Sequence, residues 1–109
     1  MTEDGFIMSD EEEALTEALC LQANEIVALL VEKGRSYGDS WKARGGVGAY
    51  IVGIARKTDR LEHQVEPYGY DIFKAIEVTT HAGEPVRETL IDLVGYALLI
   101  LVATWELPS

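Results

Sequence analysis

Glu84, Glu88 and Asp92 are spaced four residues apart, so on a helix their carboxylates stack along one side. Like charges at that spacing repel by about 0.2–0.5 kcal/mol per pair, and by more where the helix is buried, so the row demands a cation or a base beside it. A second acidic pair, Asp59 and Glu62, is spaced i, i+3. If both segments are helices packed antiparallel, the carboxylates of Asp59, Glu62, Glu88 and Asp92 converge, with Glu84 a further acid at the helix start. Hard divalent ions such as Mg²⁺ bind through a few carboxylates together with a substrate's phosphates, and keep several waters. Arg56, Lys57 and Arg60 lie within one turn of Asp59. Metal ions and bases side by side suit phosphoryl chemistry, because both neutralise the charge that develops on phosphate oxygens while a metal-bound water attacks. The plain alternative for this one segment is an internally salt-bridged helix.

Four helices are expected to carry these groups, and no stretch alternates with period two. Ser9 followed by Glu12 makes a capping box for the first helix, whose apolar residues Leu15, Leu19, Ile26 and Leu30 share a face up to a stop at Gly34. A loop over Gly34–Gly46 follows, with Tyr37, Trp41, Lys42 and Arg44 among its glycines. Tyr50, Ile51, Ile54, Leu61 and Val65 recur at helical spacing over about Val47–Glu66, and Pro67 and Gly69 end that helix. A short helix over Asp71–Val78 leads to a turn at Thr79–Gly83. Pro85 then suits the first turn of a last helix running to about Glu106. The fold class is all-α: a four-helix bundle-like domain over 9–109 with two long central helices, a short one and a long apolar C-terminal one, preceded by a flexible N-terminus over 1–8.

The chain has 109 residues, 48% of them hydrophobic, which is enough for a core without disulfide or zinc staples. Its single cysteine, Cys20, lies among apolar residues and reads as buried and inert. Glu3 and Asp4 stand where a signal peptide would carry positive charge, so a cytoplasmic location is expected. Leu93–Trp105 has no charged residue, but it is shorter than the roughly 20 residues of a membrane span and reads as a core helix. A helix apolar all round needs more cover than a domain this small supplies, which points to subunit association. The net charge of −10 argues against a general nucleic-acid binder. Seven of the nine bases nevertheless fall between Lys33 and Arg60 against two acids, Asp39 and Asp59, leaving that window at +5. It is a candidate anion site, or a set of solvated charges on an otherwise acidic surface.

Beyond these readings, the runs Tyr37-Gly38-Asp39-Ser40-Trp41-Lys42, Arg44-Gly45-Gly46-Val47-Gly48, Ala55-Arg56-Lys57-x-Asp59-Arg60-Leu61-Glu62, Tyr70-Asp71-Ile72-Phe73 and Glu88-x-x-x-Asp92-Leu93-x-x-Tyr96 resemble small phage and bacterial proteins related to the MazG-like all-α nucleotide pyrophosphohydrolases. The resemblance spans roughly Lys33–Leu101. That superfamily carries Glu-x-x-Glu on one helix and Glu-x-x-Asp on a later one, and here Asp59-x-x-Glu62 and Glu88-x-x-x-Asp92 take those places. Asp59 stands for the first Glu, Arg56 and Lys57 replace a doubled Glu, and the second pair is spaced by four. The resemblance implies Mg²⁺- or Mn²⁺-dependent cleavage of a nucleoside triphosphate to its monophosphate and pyrophosphate, by a homodimer or homotetramer. Asp59, Glu62, Glu88 and Asp92 would hold the metal, with Glu62 and Glu88 catalytic. Lys42, Arg44, Arg56, Lys57 and Arg60 are candidates for phosphate contacts, and Tyr37, Trp41 and Tyr96 for contacts to the base, against the alternative that these aromatics are simply core. His63 and His81 read as surface residues. The competing readings are an inactive helical interaction module and a nucleotide sensor that binds without turnover.

Overall fold

Ser9 caps the first helix. The Glu12 N–H donates to Ser9 Oγ at 3.1 Å and the Ser9 N–H to Glu12 Oε1 at 3.0 Å, the reciprocal pair expected. The computed structural model describes residues 7–105, with the side chains of 36 and 37 outside the described set. Helix α1 (Asp10–Tyr37) passes through Gly34, where a stop was expected. A mid-helix glycine costs only about 1 kcal/mol, and termination waits for Gly38, whose φ of +62° breaks the helix while its N–H still bonds the Gly34 carbonyl. The expected long loop therefore shrinks to Gly38–Arg44 and contains a 3₁₀ turn at Ser40–Lys42.

The second long rod starts at Gly45, not Val47, and runs as α2 (Gly45–Tyr50), a π-helical stretch over Ile51–Ala55, and α3 (Arg56–Val65). A 3₁₀ turn at Glu66–Tyr68 and Gly69, with φ +65°, close it where Pro67 and Gly69 predict. Asp71 caps α4 (Ile72–Thr79) by accepting the Lys74 N–H at 3.1 Å. Thr79 Oγ1 accepts the N–H of Val86 at 3.0 Å, which ties the end of α4 to the start of α5 (Val86–Val102). Pro85 sits at the cap, one position before the first turn. The last helix stops at Val102 and continues as turns to Trp105; the expected end at Glu106 lies outside the described residues, as do positions 1–6.

The described residues are all-helical, without strands. Helices α3 and α5 run antiparallel, as the pairings Gly53 with Tyr96, Lys57 with Asp92 and Gln64 with Thr89 show. Between them and α4, Val65, Ala75 and Val86 are buried, with Leu61, Tyr68, Ile72, Ile76 and Leu90 packed around them. Helix α1 joins this layer through Ile26 and through Leu30, which lies over Gly95 so closely that a Cβ there would be 2.9 Å from Leu30 Cδ2.

Most of α1 is uncovered. Residues 9–21 are exposed, including Leu15 and Leu19, and so is Cys20, against the expectation that this thiol is buried. An apolar segment stays exposed when no element reaches it, and α5 begins too far along α1 to cover its first half. The result is a flat molecule of 46 × 45 × 22 Å with a radius of gyration of 17.0 Å, against about 13 Å for a compact domain of this length. By length and composition α1 would also cross a bilayer: an 18-residue window within Asp10–Arg35 has mean hydropathy 1.5, with 6% of it buried. Glu17 and Glu25 fall in that helix, and a charge near the middle of a span costs about 3 kcal/mol.

Candidate functional site

One cleft gathers residues from three helices and the loop between α1 and α2. Ile26, Leu29 and Leu30 of α1 and Ile91 and Leu99 of α5 form its apolar floor, and it encloses about 340 Å³, the lower end of the range for small-molecule sites. Trp41, delivered by the 3₁₀ turn, and Tyr96 of α5 form one wall, their rings edge to face with centroids 6.3 Å apart and planes at 65°. Tyr96 can lie this close to the second rod because position 53 is glycine: a Cβ there would be 2.9 Å from Tyr96 Cγ. The widened π turn over Ile51–Ala55 brings that buried glycine against the ring. Outside the cleft, Lys42 Nζ lies 5.8 Å from the Trp41 ring centroid, over its face.

The charged end of the cleft is a three-residue bridge. Asp92 Oδ1 accepts from Lys33 Nζ at 3.2 Å and Asp92 Oδ2 from Lys57 Nζ at 3.1 Å. Lys57 and Asp92 are largely covered, at 20% and 22% side-chain exposure, while Lys33 reaches in from a 54% exposed position. Beside the bridge on α5, Thr89 is buried and donates to Gln64 Oε1 at 2.7 Å, and Gln64 Nε2 donates to the Glu84 carbonyl at 2.9 Å. This neutral network locks the facing surfaces of α3 and α5 just below the lysines.

Of the expected site residues, the cleft brings together Trp41, Tyr96, Lys57 and Asp92. Asp59, Glu62 and Glu88 are exposed, as are the candidate phosphate ligands Lys42, Arg44, Arg56 and Arg60. The side chain of Tyr37 is outside the described set. The four carboxylates do not converge: Asp59 and Glu62 project from the outer side of α3, while Lys57, Leu61 and Val65 take the side that meets α5. Asp59 instead neighbours His63, with Oδ1 3.7 Å from Nδ1, and the Asp59 carbonyl accepts from that nitrogen at 2.8 Å. The backbone carbonyl first, and the Asp59 charge second, raise the His63 pKa above its ordinary 6.5.

A divalent ion does not fit these residues as one chain arranges them. No group of three or more His, Cys, Asp or Glu side chains among the described residues is close enough to hold one. The one acid in the cleft has both oxygens on ammonium groups, and the residue three before it, where the superfamily pattern has Glu, is the buried Thr89.

Lys33 has no place among the motif residues, yet a signal for it existed. It continues the α1 row Gln22, Ile26, Leu29 at helical spacing, and Lys57 lies in the apolar row Ile54, Leu61, Val65. A lysine within an apolar row is carried to a packed face, where it must find an acid or line a site. Comparison with known proteins finds no match to this chain among protein-family models, curated proteins or solved structures.

Proposed function

We propose that the chain binds a nucleotide in the α1/α5 cleft, with the base against Trp41 and Tyr96 and the phosphate at Lys33 and Lys57. The observation that carries this reading is the pairing, in one 340 Å³ cleft, of an aromatic wall with two ammonium groups from different helices. Aromatic faces accept bases by stacking, and lysines bind phosphate as point charges. The MazG-like resemblance, with its nucleotide substrates, points the same way. The test is equilibrium binding of nucleoside mono- and triphosphates to wild type, Trp41→Ala and Lys57→Gln. Each variant is expected to lose tenfold or more in affinity, and unchanged affinity in both removes the cleft as the site.

Magnesium- or manganese-dependent pyrophosphohydrolysis is the second reading. What favours it is that Glu62 and Glu88 are exposed and in no ion pair among the described residues, with Glu88 one turn from Asp92. They are free to complete a metal site with acids from a second subunit. Release of pyrophosphate from a panel of (d)NTPs, lost in both Glu88→Ala and Asp92→Ala, would carry it. No release from any nucleotide leaves binding without turnover.

Both readings take the working unit to be a homodimer or homotetramer. The exposed leucines of α1 and the flat, expanded shape support this, because uncovered apolar surface of that extent is normally buried by association.

A further inference from the structure

We infer that Asp92 is an internal anion seated where a ligand's phosphate binds, so that it competes with the phosphate for Lys33 and Lys57 and the cleft takes a phosphate monoester without a divalent ion. This deepens the nucleotide-cleft reading and rests on it.

The geometry is that of a seat. Two oxygens on one carbon each accept from a different lysine, at 3.2 and 3.1 Å, and two oxygens on one phosphorus can be held in the same way. Each ammonium has three donors, and Asp92 is the acceptor recorded for both. The lysines come from α1 and α3 and the carboxylate from α5, so the seat exists only in the folded chain.

Charge gives the direction of the effect. Asp92 is the only acid among the described residues lining the cleft, so two cations face one anion and the seat keeps a net positive charge. A phosphate that displaces the carboxylate must break two ion pairs; one that joins it must approach a like charge, which repels it. On either route the Asp92 charge opposes binding. This is the reverse of its effect as a metal ligand, where the same charge would hold the ion that bridges to the phosphate. The cleft's size and its aromatic wall, with Tyr96 one helical turn from Asp92, suit a single base, its sugar and one phosphate.

The experiment is calorimetric titration of the full chain with the four 2′-deoxynucleoside 5′-monophosphates and with inorganic phosphate, in EDTA and again with Mg²⁺. Asp92→Asn, which keeps the shape and removes the charge, is expected to bind its best monophosphate at least fivefold more tightly than wild type in EDTA, with no gain from Mg²⁺. Lys33→Gln, at a half-exposed position that folding tolerates, is expected to bind fivefold or more weakly in EDTA, and it carries the test if Asp92→Asn does not fold. Equal or weaker binding by a folded Asp92→Asn, wild-type binding that requires Mg²⁺, or a Lys33→Gln variant that binds as well as wild type overturns the seat while leaving the nucleotide cleft in place. Absence of binding by folded wild type and by both folded variants overturns the seat and the cleft together.

Discussion

The α3–α4–α5 end of the molecule buries Val65, Ala75, Val86 and Thr89, whereas residues 9–21 of α1 bury nothing. Residues 9–21 carry Leu15, Leu19 and Leu21 beside five acids, so this stretch has apolar groups to bury but nothing to bury them against. At the packed end α3, α4 and α5 each contribute residues to one buried cluster, and the Thr79 hydroxyl and the Gln64 amide satisfy polar groups along the seams. The first half of α1 has a good cap and no neighbour. Helix propensity and capping shape such a helix locally, but isolated helices are marginal in water and most helical stability comes from packing. One chain can thus complete its core and still leave half a helix uncovered.

Substitutions that treat the two regions differently test this contrast. The largest effect is expected at Val86, which is fully buried: Val86→Asp puts an unpaired charge in the core and should remove cooperative unfolding in denaturant titrations, a loss of about 4 kcal/mol or more. Next is Gly53→Ala, whose Cβ would press on Tyr96. It should cost about 1–3 kcal/mol and alter the near-ultraviolet circular dichroism of the Trp41–Tyr96 pair, while an unchanged spectrum would show that the π turn does not place Tyr96. Smaller for the fold, within about 0.5 kcal/mol, is the double change Leu15→Glu and Leu19→Glu. Its expected consequence, on the proposed association through α1, is a lower mass by light scattering with helical content kept, and an unchanged mass would remove α1 from that proposed interface.

The smallest effect is on proton binding. The Asp59 carbonyl and carboxylate raise the His63 pKa, so its contribution to stability is complete below about pH 6.5 and is lost as pH rises through the raised folded value. An NMR titration of the ring should give a midpoint above 6.5 that falls in Asp59→Asn but keeps the part due to the carbonyl. Glu12 behaves oppositely. The Ser9 backbone N–H first, then its hydroxyl, lower the carboxyl pKa, so the capping box holds above the ordinary glutamate range and loosens as pH falls through the lowered value.

The first helix start was legible because caps are local: Ser9 and Glu12 act over three residues, whereas Asp71, expected as the first residue of its helix, is that helix's cap. Helix ends were less so. Gly34 and Gly38 look alike in sequence, and only backbone conformation separates a glycine inside a helix from one that terminates it. The π turn at Ile51–Ala55 was not legible at all; it coincides with the close approach of Gly53 to Tyr96, a contact 43 positions apart in the chain. That widening belongs to the contact between the rods, and the apolar spacing on either side still reads as an ordinary helix.

At the site, Trp41, Tyr96, Lys57 and Asp92 were legible as chemistry-bearing residues, and Lys33 only in retrospect. The acidic spacing of Glu88 with Asp92 and of Asp59 with Glu62 places each pair on one side of its helix. It says nothing about which side turns inward.

What the sequence determined by itself was the helical register, the caps and the set of residues sharing each face, because these depend on groups within about four positions of one another. The tertiary structure alone decided which residues meet. Lys33 and Asp92 are 59 positions apart and Lys57 and Asp92 are 35 apart. Their contact depends on how far each helix is rotated about its own axis, and that rotation is set by close approaches at Gly95 under Leu30 and Gly53 under Tyr96. A helix turned by half a revolution would keep every local signal and bring Asp59 and Glu62, in place of Lys57, to face Asp92.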